Sequence, residues 1–169
     1  VFSPAVTETI AGLGGAGLQA ATPAAATREI QRAVAAAQGA DWEAAETHFE
    51  AAISVLGNRQ AEVRAILTHD LAIAQEKNGN RAAAVASVDQ ATKLFKRSGN
   101  DNGQLQALLT AAGLNERNGD ADVAARLRTS AGELRINAGL EPVFIPTTVA
   151  TGTGGSALTT TTLNARVTR

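Results

Sequence analysis

Three stretches of this chain align on one another: Asp41-Trp42-Glu43-Ala44-Ala45 with Phe49 and Ala52, Asn80-Arg81-Ala82-Ala83-Ala84 with Val88 and Ala91, and Asp120-Ala121-Asp122-Val123-Ala124 with Arg128 and Ala131. Ala45, Ala84 and Ala124 lie 39 and 40 residues apart, and Ala52, Ala91 and Ala131 repeat the same intervals. A fixed period of this size marks a stack of two-helix units, because one pair of helices cannot bury its apolar stripe alone. Small residues recur where the next unit must approach closely. The recurrence confines the fold to a helical array.

Between the repeats, apolar residues fall at i, i+3, i+4 and i+7, and glycines punctuate the pattern. The first predicted helix takes Thr22 as N-cap and Pro23 as first residue, then runs through Ile30, Ala33, Val34 and Ala37 to Gly39. Asp41 caps the second, which carries Ala45, Phe49, Ala52, Ile53 and Leu56 to Gly57. The third spans about Gln60 to Asn78, with Gly79 as a left-handed terminator. Asn80 caps the fourth, Asp101 opens the fifth and Asp120 caps the sixth, which ends at Gly139. Turns of one to three residues force neighbouring helices antiparallel. The expected fold class is all-α, with one core in a chain of 169 residues.

Composition divides the chain into three zones. Residues 1–22 form a nearly uncharged, Gly-rich arm, too poor in apolar bulk to pack. Residues 23–140 are the helical domain. In residues 141–169, Pro142 and Pro146 forbid a helix, and Thr, Val and Gly point to an extended or β-hairpin tail.

On these residues the chain resembles the tetratricopeptide repeat family, in its longer variant of about forty residues. The resemblance is strongest in the middle unit. Leu71-Ala72 stands at the family's Leu-Gly/Ala position, Gly79-Asn80 at its helix-to-helix turn, and Ala84 and Ala91 at its small packing positions. Gln75 replaces the usual aromatic, Val88 is small for its place, and Arg128 puts a charge at the same place in the last unit. The resemblance implies a short right-handed α-solenoid of three helix-turn-helix units. It also implies a concave groove lined by the first helix of each unit, here Ile66, His69, Asp70, Ile73, Glu76 and Lys77.

Charge and residue content exclude several chemistries. Fifteen basic residues against sixteen acidic ones, with a net charge of −1, leave no footprint for nucleic acid. Without cysteine there are no disulfides, thiolate nucleophiles or cysteine-ligated zinc. Gly12-x-Gly14-x-x-Gly17 matches a dinucleotide fingerprint by spacing, but no βαβ unit surrounds it and Pro23 interrupts the helix that should follow. His48 and His69, the two histidines, form no metal-binding cluster; they read as groove or surface residues beside Glu46 or Glu50 and Asp70. Glu43, Glu46 and Glu50 share one face, where a solvated acidic stripe is expected. Trp42 reads as packing under the inter-helix turn. No Gly-x-Ser-x-Gly elbow accompanies the serines. The expectation is no enzyme, no cofactor, no metal and no small-molecule substrate.

The tail carries β-prone runs around Thr151-Gly-Thr-Gly-Gly-Ser156, with apolar positions Val143, Phe144, Ile145, Val149, Leu158 and Leu163. A hairpin alone is marginal in water, so these positions are expected to meet other protein subunits or copies of the chain by strand addition or groove wrapping. No segment reads as a membrane span, which needs ~20 strongly apolar residues. A chain starting at Val1 with no methionine is expected to have lost its initiator by processing or truncation. No signal sequence is visible, and the lack of cysteine suits a mature periplasmic or cell-surface protein; a cytoplasmic one has the same composition. The function expected is a non-enzymatic scaffold subunit. The alternative is a free-standing adaptor that takes peptides in its groove.

Overall fold

A computed structural model of the chain describes residues 22–58 and 60–140. Among these residues there are six helices and no strand: α1 (Ala24–Gln38), α2 (Trp42–Leu56), α3 (Ala61–Lys77), α4 (Arg81–Ser98), α5 (Asp101–Asn118) and α6 (Ala121–Asn137). The Gly-rich arm before Thr22 and the tail from residue 141 lie outside the described residues, and so do Val143, Phe144, Ile145, Val149, Leu158 and Leu163.

Helix ends follow the sequence signals with local differences. Asp41 accepts the N–H of Ala44 at 3.1 Å, so the expected cap of α2 is made. At α1 the helix begins one residue later than the Thr-Pro signal: Pro23 is the cap residue, and Thr22 Oγ1 donates to Gln60 Oε1 at 3.1 Å. Asn80 and Asp120 hold their N-cap positions without a side-chain cap bond. Asn80 instead donates to Glu46 of α2 at 3.0 Å, a bond between elements in place of a local one.

Five helices end the same way. A residue with positive φ follows the helix, and the next N–H bonds back five residues, as in Asn80 to Gln75 at 2.7 Å and Asp120 to Asn115 at 2.9 Å. Gly79 and Gly119 fill the left-handed place after α3 and α5, but after α1 it falls to Ala40 at φ 58° rather than to Gly39 at φ −79°. A left-handed alanine costs roughly 1–2 kcal/mol of backbone strain, partly offset by the entropy a glycine would lose on folding. Ala40→Gly is therefore expected to raise the unfolding free energy by about 0.5–1 kcal/mol, read as a higher urea midpoint at unchanged slope.

Each helix packs on its neighbour in the chain, and α3 also touches α5. Ala45, Ala52, Ala84, Ala91, Ala124 and Ala131, the alanines of the repeat, are all buried. The first helix of each pair repeats the device, since Ala33, Ala72 and Ala112 are buried at the same intervals. The single core expected from length is replaced by three successive clusters. One joins α1, α2 and α3 around Ile30, Phe49 and Leu67; the next joins α3, α4 and α5 around Val88, Phe95 and Leu114; the last holds Leu105, Leu108 and Ala131 of α5 and α6. A period built from local pairs buries its apolar area in sequence order, so among the described residues none of these clusters draws on both the first pair and the last.

Candidate interaction surface

The groove residues expected on α3 do not stay together on an open surface. Ile66 and Ile73 are half-buried, Glu76 is half-buried, and Lys77 is exposed, but His69 and Asp70 are almost completely buried. Their burial follows from what stands opposite. His69 Nε2 and Thr110 Oγ1 of α5 share a hydrogen bond at 3.0 Å, and the Phe95 ring of α4 meets the imidazole edge-on at 6.5 Å between centroids. Asp70 Oδ1 is 3.9 Å from His69 Nδ1. His69 thus joins three helices and is not a ligand-facing side chain. Glu76 pairs with Arg117, another contact from α3 to α5. The guanidinium of Arg117 lies over Gly113, where a Cβ would come within 3.3 Å of it. Three of the six expected positions, His69, Asp70 and Glu76, are thus buried or bonded within the chain itself.

The other expected positions settle as follows. His48 donates from Nδ1 to Glu29 Oε2 of α1 at 2.8 Å, so its partner is not Glu46 or Glu50. That hydrogen bond, ahead of the charge of Arg32, holds the Glu29 carboxyl below the usual carboxylate range. Glu43 and Glu50 are exposed as a solvated face would be, while Glu46 turns aside to accept from Asn78 and Asn80, each at 3.0 Å. Trp42 is half-buried against the first cluster, at the turn that leads into α2. Arg128 is exposed and pairs with Glu116.

Several linking side chains carry no local sequence signal. Gln75, at the family's aromatic position, is buried and accepts the Ser87 hydroxyl at 2.7 Å. Asn115, 40 residues on, is buried and donates to the Ala111 carbonyl at 2.8 Å. Buried amides are tolerated because those bonds replace water. Asn100 caps α5 through the N–H of Gly103 at 2.7 Å and donates to Glu62 of α3 at 2.9 Å. The bonds Asn100–Glu62, Asn80–Glu46 and His69–Thr110 span 38, 34 and 41 residues, about one period. The period is the signal that could have found them.

Among the described residues no group of three or more His, Cys, Asp or Glu is placed to hold a metal, and no helix is long and apolar enough to cross a membrane. Set against family models, curated proteins and solved structures, the chain matches none.

Proposed function

We propose that the chain is a non-enzymatic scaffold subunit. Its six helices form a short right-handed stack of three tetratricopeptide-like units, and its terminal segments tie it into an assembly of copies, alone or with other protein subunits. The carrying observation is the run of three separate apolar clusters, the last with only Leu105, Leu108 and Ala131 buried. Repeat arrays gain stability by adding neighbours, and three units is about the minimum. An array this short gains from being held by something else. Within the tail, Val143, Phe144, Ile145, Val149, Leu158 and Leu163 are the positions assigned to the partner. A periplasmic or cell-surface setting agrees with the absence of cysteine.

The free-standing adaptor is the weaker reading, because His69 and Asp70, two of its six expected groove positions, are buried and His69 is bonded to Thr110. Sedimentation separates the two. The full chain is expected to assemble with rising concentration, and Leu158→Asp with Leu163→Asp to sediment as a 17.2 kDa monomer that keeps its helical circular dichroism. A wild-type chain that is monomeric at every concentration, or a variant that assembles like it, overturns the scaffold reading.

A further inference from the structure

The first two clusters each draw on three helices, and the third helix is always the first of the following pair. The last cluster has α5 and α6 alone. One repeat position of the first helices registers the missing neighbour. Ile30 and His69 are buried in the first two units, whereas Leu109, 40 residues beyond His69, is half-buried. Leu134 of α6 is half-buried as well; its counterparts are buried Leu94 in α4 and exposed Val55 in α2, so it fixes the position of the patch and not the missing neighbour. With Leu127 and Leu140 these residues make a leucine patch at the open end of the helical domain.

A second copy stacked end to end is a poor occupant. Phe49 and Val88 are buried at one repeat position and Leu56 and Phe95 at another, and α6 carries Arg128 and Arg135 there instead. A stacked helix would have to bury Arg135 together with the Arg128–Glu116 pair, and desolvating those charges is costly. The helix that such a copy would bring, α1, exposes Arg28 beside the Arg32–Glu29 pair and so offers no surplus carboxylate to Arg135.

The chain itself departs from this patch. Leu140 already packs in it and is followed by Glu141-Pro142-Val143-Phe144-Ile145-Pro146. At ~3.3 Å per residue, Phe144 can reach about 13 Å from Leu140, enough to cross the face of one helix. In sequence, Pro142 and Pro146 flank three adjacent apolar residues, a pattern that disfavours a helix. We infer that Val143, Phe144 and Ile145 close the open end of the same chain, over Leu109, Leu127 and Leu134. This goes beyond the assembly proposed above: it transfers three tail positions from the partner to the chain's own end and leaves the later anchors outward.

A chain without cysteine makes the test clean. In the full-length double variant Leu109→Cys with Phe144→Cys, mild oxidation is expected to form an intrachain disulfide, which needs Cβ atoms about 4 Å apart. Val55→Cys with Phe144→Cys, the control on exposed Val55 of α2, is expected to form none. Peptide mapping of the non-reduced monomer reads both. Separately, Phe144→Asp in the full chain is expected to speed amide exchange across α6 on the order of tenfold while leaving α1 unchanged. Absence of the intrachain bond, equal yields in the two double variants, or unchanged exchange in α6 overturns the inference. Interchain disulfides through Cys at 109 and 144 also overturn it, and would place the run on a neighbouring copy, leaving the scaffold reading intact.

Discussion

Phe49→Ala is expected to lower the unfolding free energy by about 3–5 kcal/mol, the usual cost of emptying a buried aromatic site. Phe49 is 1% exposed and is the largest fully buried side chain among the described residues. It sits between the close-packed Ala45 and Ala52 of α2 and within a cluster fed by Ile30 and Val34 from α1 and by Val63, Leu67 and Leu71 from α3. Half of the other buried members of that cluster are alanine, which has no rotamer with which to reach into the space left behind. The cavity term is therefore expected to be near its full size. For a domain whose total stability is of order 5–15 kcal/mol, the variant should be largely unfolded at modest urea concentrations. Urea titrations followed by circular dichroism check this, and a loss under about 1 kcal/mol would show that the first three helices do not share one packed cluster.

The second large effect lies where two units meet. Gly103, in the first turn of α5, faces Phe95 of α4 so closely that an added Cβ would overlap the Cδ1 and Cε1 atoms of the ring. Alanine is the better helix former by roughly 1 kcal/mol, so propensity alone predicts that Gly103→Ala stabilises. The overlap decides otherwise, because the ring is 4% exposed and hemmed in by His69 and its cluster. A net loss of about 1–3 kcal/mol is expected. Phe95→Leu removes the obstructing ring, so the double variant should be more stable than the sum of the single losses by at least about 1 kcal/mol. Additive losses would mean that the two side chains do not compete for one space.

Much of the helical domain was legible in local signals. The six helices stand where apolar periodicity and glycine punctuation put them, because both are properties of short segments. The displaced boundaries have local causes: Thr22 spends its hydroxyl on Gln60, and the left-handed turn after α1 rests on Ala40 beside an available Gly39. The expected interaction site was less legible. Ile66, Ile73, Glu76 and Lys77 keep some exposure, but a helical wheel could not reveal that Thr110 and Phe95 would close over His69, since each comes from a different helix. In the same way Glu46 looked like one member of an acidic stripe until the turn at Asn78 and Asn80 was folded against it.

By itself the sequence determined the period, the helices it contains, the small residues at their crossings, and the absence of cysteine chemistry, since each depends only on residue identity and spacing. Tertiary structure alone decided which polar groups pair across one repeat, why glycine must stand at position 103, and that the apolar area divides into three clusters, the last short of a helix. The physical reason is range: helix formation is settled within a few turns of chain, whereas burial and pairing are set by atoms some forty residues away.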